Sequence, residues 1–193
     1  MWGRKMIDNN KANGEKPIKV LHLVGGNLEN GAARGVVSLH LGLIQVGVES
    51  QIITNALRPV LSVINARSVY SQSERCKRLD VILSMAKDKY LPKHYGNEGP
   101  FSTGFFGIDI TKEKEYRDAD IVHLHWINSG LMRMGTLEKI CKPIVWTVRD
   151  MWPMTGGCHI TSGCTRYKYR CHDCPHLEVS RCIDLAQCVF KYK

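Results

Sequence analysis

Apolar residues recur along this chain in two rhythms. Short, nearly unbroken apolar runs at residues 18–23 (IKVLHL), 50–54 (SQIIT), 120–126 (DIVHLHW) and 143–148 (PIVWTV) have the length and β-branched content of buried strands. Between them apolar residues fall at helical spacing. Over residues 32–46 these are Val36, Leu39, Leu43 and Val46, with Gly47 where a helix-ending glycine is expected. A second stripe, Leu79, Ile82, Leu83, Ala86 and Tyr90, predicts a helix whose polar face carries Lys77, Arg78, Lys87 and Lys89. A short helix is expected over residues 130–141. Alternation of strand and helix predicts an α/β fold, a doubly wound parallel sheet. Ligands bind such sheets beyond the carboxyl ends of the strands, which singles out residues 25–35, 125–129 and 149–159.

Composition narrows the class. The 193 residues are 44% hydrophobic and 23% charged, values of an ordinary globular protein that exclude wholesale disorder and collagen-like repeats. No apolar run approaches the ~20 residues of a membrane-spanning helix. The polar N-terminal stretch lacks the apolar core of a secretory signal, so a disordered leader over residues 1–17 and a cytoplasmic location are expected. Lys and Arg outnumber Asp and Glu by 27 to 18, with the excess concentrated in residues 1–19, 58–93 and 142–193. A basic surface favours phosphates, whether of nucleic acid, anionic lipid headgroups or a nucleotide-linked substrate, or is simply a solvated face. Nucleic acid fits poorly, because finger motifs and interleaved stacking aromatics are missing.

Several residues could carry chemistry. Gly26, Gly31 and Ala32 let backbone approach a ligand after the first strand, and the following helix start is a natural anion cradle. His123 and His125 alternate on one strand and therefore face the same side of the sheet; His125, nearer the strand end, is the one expected to reach an open edge. Trp126 could offer a flat face to a sugar or fill the core. Thr155, Gly156, Gly157 and His159, with small side chains, N–H groups and a hydroxyl, suit contacts to a polyol. Six of eight cysteines follow residue 157. Cys158, Cys164, Cys171 and Cys174 could close a structural tetrahedral zinc site or remain reduced thiols.

The segments NGAARGVVSLHLGLIQVGVES, ADIVHLHWINSGLM, KPIVWTVRDMWPMTGGCH and CTRYKYRCHDCPHL together resemble the N-terminal domain of glycosyltransferase family 4, in the branch that builds bacterial polysaccharides such as colanic acid. The resemblance runs over residues 18–193 and implies a single Rossmann-like domain with a Cys-rich loop near its end. It implies the acceptor-side half of a retaining enzyme of GT-B architecture, whose second domain holds the nucleotide-sugar donor and a paired-glutamate motif. No such domain lies within these residues, so the chain alone is expected to be inactive. The likeness carries Gly31, Ala32, Arg34, Trp126 and Asp150 over as substrate-binding candidates, and His125 and Arg149 as catalytic ones. Where many family members read His-Asp, this chain reads Arg149-Asp150, and a permanently charged guanidinium suits a departing diphosphate rather than a base. No catalytic metal is implied. The expected partners are a nucleotide-sugar donor, a glycan or lipid-linked acceptor and an anionic membrane surface. A non-catalytic, zinc-stabilised basic binding module or pseudo-enzyme remnant is the alternative.

Overall fold

The computed structural model describes residues 16–29, 31–56, 63–69, 75–96, 99–177 and 183–193. The leader expected over residues 1–17 lies outside them except for Lys16 and Pro17, and so do Cys182 and the basic residue Arg58. The described part of the chain divides into two compact units. One draws on residues up to 72, 111–126 and 141–147, the other on 73–110, 127–140 and 148–193.

The first unit is built on five parallel strands: β1 (Lys19–Val24), β2 (Glu49–Thr54), β3 (Ala66–Ser68), β4 (Ile121–Leu124) and β5 (Ile144–Trp146), in the order β3-β2-β1-β4-β5. This is a Rossmann-like α/β arrangement. Leu21, Leu23, Val24, Ile53, Val122 and Leu124 are wholly buried, as continuous apolar strands of a covered parallel sheet should be. Helix α1 (Gly31–Gln45) connects β1 to β2 and packs Ala33 and Val36 against Val24, Leu28 and Ile52. Its inward line continues to His40 rather than Leu39, which is 40% exposed, and Val46 too faces outward. The predicted helix is therefore present with its buried stripe rotated. His40 is tolerated in the core because both ring nitrogens are bonded, to Ser50 Oγ at 2.7 Å and the Ile64 carbonyl at 2.7 Å. A short helix, α2 (Lys114–Asp118), precedes β4, and Asp120 accepts the Lys19 N–H at 2.8 Å to pin the start of β1.

Strand order reverses between β1 and β4, the point at which such sheets open a crevice for ligands. The chain leaves β1 through Gly25-Gly26 and β4 through His125-Trp126, so the two segments singled out from sequence in this unit meet at that point.

The second unit contains α3 (Arg75–His94), α4 (Leu185–Tyr192) and several single 3₁₀ turns. One turn, Met134–Lys139, replaces the α-helix expected over residues 130–141. The apolar stripe of α3 is not its buried face: Leu79, Ile82, Leu83 and Tyr90 are all more than 40% exposed. Among its described side chains the helix does bury Pro92 and Asp88, whose carboxylate accepts from Thr103 N, Thr103 Oγ1 and Gly104 N. Phe101, Cys158, Leu185 and Val189 make the local core. No helix among the described residues is long and apolar enough to cross a membrane.

Candidate functional site

In the first unit the glycine loop is held from several sides. Gly26, at φ +83°, takes a left-handed conformation that favours glycine. Its N–H donates to Asn55 Oδ1 at 2.7 Å, and its carbonyl accepts Thr54 Oγ1 at 2.6 Å. The Gly25 N–H donates to the Trp126 carbonyl. A Cβ on Gly26 would stand 4.0 Å from the Trp126 ring, so backbone and indole lie side by side at the switch point. Gly31 and Arg34, at the start of α1, are exposed, and a Cβ on Gly31 would meet nothing within 4 Å. Ala32 lies in the same first turn. The sequence reading passes over Thr54 and Asn55; their position at the carboxyl end of β2, the strand beside the glycine loop, is the available clue.

Beneath this loop the sheet carries a histidine stack. His22 on β1 pairs in register with His123 on β4, and His125 follows on the same face. The ring centroids lie 5.1 Å apart for His22–His123, 5.4 Å for His22–His125 and 4.0 Å for His123–His125. His22 Nδ1 lies 3.1 Å from His125 Nε2, and His123 Nε2 lies 2.8 Å from Thr147 Oγ1. Burial, reinforced by the neighbouring imidazoles of His123 and His40, pushes the His22 pKa down to about 3. The shared facing of His123 and His125 is as expected. His125 is 3% exposed, however, and does not stand open at the strand end. The cause is His22, which brings a third imidazole beneath it and turns the strand end into core.

In the second unit, Arg149 is exposed and Asp150 turns inward. Asp150 Oδ1 accepts the Trp152 N–H at 2.9 Å, and Oδ2 lies 2.7 Å from His159 Nδ1. His159 Nε2 reaches Ser102 Oγ at 3.0 Å, and its ring stacks on Trp152. Asp150, His159 and Ser102 thus form one hydrogen-bonded line. Trp152, 1% exposed, donates from Nε1 to the Ser102 carbonyl. Lys193 sets its ammonium 3.6 Å from the centre of that indole and donates to the Trp152 and Thr155 carbonyls; burial lowers its pKa to about 7.

Thr155, Gly156 and Gly157 do not present the open N–H groups and hydroxyl expected of them. All three are buried. Thr155 Oγ1 donates to the Cys158 carbonyl and accepts from Gly157 N, and Gly156 N donates to Cys171 Sγ. The glycines are there for space: a Cβ on Gly156 would lie 2.4 Å from the Ala186 carbonyl oxygen, and one on Gly157 2.2 Å from the Phe101 ring.

Cys158, Cys164, Cys171 and Cys174 are free thiols that line one small void with Thr161, His172 and His176. Burial, then the neighbouring thiols, pushes Cys174 up to about 11, and burial raises Cys158 and Cys171 as well. Thiolates are soft donors of the kind that hold zinc, yet among the described residues the donors gathered within 4.8 Å of one another are His22, His123 and His125, not the four cysteines.

A strand-order switch point bearing a clamped glycine loop is a ligand-handling feature of Rossmann-like proteins. Among curated proteins, the chain is 25% identical over 154 residues to the putative colanic acid biosynthesis glycosyl transferase WcaC of Escherichia coli K12. The match takes in 77% of this chain and 37% of that protein, so the chain spans little more than a third of its relative's length. It is thus related, at a distance, to a glycosyltransferase. No family model and no solved structure matches it.

Proposed function

We propose that this chain is the acceptor-side half of a retaining glycosyltransferase of GT-B architecture, in family 4. In this reading it moves a sugar from a nucleotide-sugar donor to a glycan or lipid-linked acceptor. The observation that carries the reading is the switch point between β1 and β4, where the Gly25-Gly26 backbone, held by Thr54 and Asn55, lies against Trp126. Exposed Gly31 and Arg34, with Ala32, extend that edge along the first turn of α1. A donor domain contributed by further chain supplies the nucleotide site.

In this scheme Arg149 holds the leaving diphosphate. Its guanidinium cannot serve as a base, but it offers two donors in fixed geometry to phosphate oxygens as charge builds on them. Asp150 and His159 are positioning residues: their mutual bond and the Asp150 contact to Trp152 N set the backbone that carries Arg149. His125 acts through the sheet rather than on the sugar. The four cysteines bind zinc as a structural staple for a loop with few apolar residues of its own. The protein works in the cytoplasm at the inner face of the membrane, where α3 touches anionic lipid.

The test is a radiolabelled-donor assay with the 193-residue chain and with the same chain joined to a donor domain. Turnover is expected only from the joined form, with Arg149→Ala lowering kcat by about 100-fold, the effect of losing one charge-stabilising donor. Turnover by the chain alone, or a joined enzyme indifferent to Arg149→Ala, would overturn the assignment.

A further inference from the structure

We propose that His22, His123 and His125 form a binding site for a borderline transition-metal ion of the Zn²⁺ type, which clamps β1 to β4 at the switch point. The site lies wholly in the first unit and is independent of the sugar-transfer reading.

Geometry carries the case. Parallel pairing sets His22 opposite His123, and the two-residue repeat of the strand returns His125 to the same face. One ring nitrogen from each residue lies within 4.8 Å of one from each of the others. His22 Nδ1 and His125 Nε2 are already 3.1 Å apart. Two nitrogens sharing one tetrahedral ion, each at about 2.0–2.1 Å, stand about 3.3 Å apart. Only His123 has to close the remaining gap. Its Nε2 is held by Thr147 Oγ1 at 2.8 Å, the kind of outer partner that steadies a ligating imidazole through its other nitrogen.

Hydrogen bonding alone does not complete the trio. His22 is fully buried, and its Nδ1 faces the Nε2 of another imidazole, His125, rather than a carbonyl or carboxylate. An imidazole ligates through a ring-nitrogen lone pair, and a buried sheet face disfavours the charged form that lacks one. The donor set is all nitrogen. That selects zinc, copper, nickel or cobalt and disfavours calcium and magnesium, which require oxygen. The parallel-sheet order alone would have been satisfied by Val or Ile at all three positions, so the imidazoles call for a reason of their own.

The experiment uses the whole chain, stripped with a chelator and labelled with ¹⁵N-histidine. Adding Zn²⁺ should shift the ring-nitrogen resonances of His22, His123 and His125 together and saturate at a stoichiometric level. After gel filtration, wild type should retain one equivalent of zinc more than His22→Gln, whatever the cysteine loop retains in both. His125→Gln serves as the second variant, with circular dichroism to show that each folds. Ring-nitrogen resonances unmoved by a tenfold excess of Zn²⁺, or equal zinc contents in wild type and folded variants, would overturn the proposal. The resonance measurement needs no variant, so misfolding of either one leaves the question decidable.

Discussion

Gly157 stands at φ +129°, and any Cβ there would sit inside the Phe101 ring. Gly157→Ala combines overpacking with a conformation that side chains rarely adopt, so it should destabilise the protein by about 3 kcal/mol. Urea unfolding monitored by tryptophan fluorescence would measure it, and a loss below about 0.5 kcal/mol would show that Phe101 can move aside. From sequence, Thr155, Gly156 and Gly157 read as a polar, open loop, because small residues suit ligand contact and tight packing equally well. What decides between them is the aromatic ring of Phe101 and the carbonyl of Ala186, both distant along the chain. The burial of His125 escapes the sequence for the same kind of reason: His22, packed against it, lies on another strand. The clue was legible, since IKVLHL and DIVHLHW each carry histidine at a position that neighbouring parallel strands bring level.

At the scale of elements, four of the five strands were legible because continuous apolar runs leave little choice of structure, each boundary shifting by only a residue or a few, whereas β3, an Ala-Arg-Ser tripeptide, has no apolar run to announce it. The helices were legible as periods but not as faces. On α1 a histidine with both nitrogens bonded took the place of Leu39 in the core. On α3 a carboxylate bonded to two N–H groups and a hydroxyl is buried, while four large apolar side chains are left outside. An apolar stripe accompanied by Lys87, Lys89 and Lys93 is the pattern of a helix lying on anionic headgroups. The chain should therefore co-sediment with phosphatidylserine-containing vesicles at low salt and be released at high salt, each basic residue near the surface contributing ~1 kcal/mol. Leu83→Asp should weaken binding about tenfold without altering the fold. Equal binding to neutral vesicles, or none at low salt, would count against the membrane contact.

For the whole molecule, the best-defined charge arrangement is the pair of carboxylates around Arg67. Its Nε and Nη2 donate to Glu115, and Nη2 also reaches Glu113 at 2.6 Å, with all three side chains less than a quarter exposed. The hydrogen bonds from Arg67 hold Glu115 below the ordinary glutamate range. A carboxylate whose folded pKa lies below its unfolded one stabilises the protein above the unfolded value, near 4.5, and that contribution fades as pH falls through the folded value. Glu115→Gln should cost about 2 kcal/mol at neutral pH and flatten the acid limb of the stability curve. Thermal melts from pH 7 to pH 3 would test this, and parallel curves for the two proteins would refute it. The overall architecture was legible because the order of strand and helix dictates a parallel sheet. The division into two units was not, since it arises from residues 111–126 and 141–147 returning to the first sheet after the chain has begun the second unit.

The sealed turn at residues 155–157 bears on how chains of this type can diversify. With Gly156 and Gly157 fitted against neighbouring atoms, that segment has almost no tolerance for new side chains, so under the proposed function selection for a different acceptor would have nothing to work with there. Under the same reading, exposed Gly31 and Arg34 at the start of α1, where an added methyl on Gly31 meets nothing within 4 Å, are the positions to randomise in a library that seeks altered specificity while keeping its clones folded.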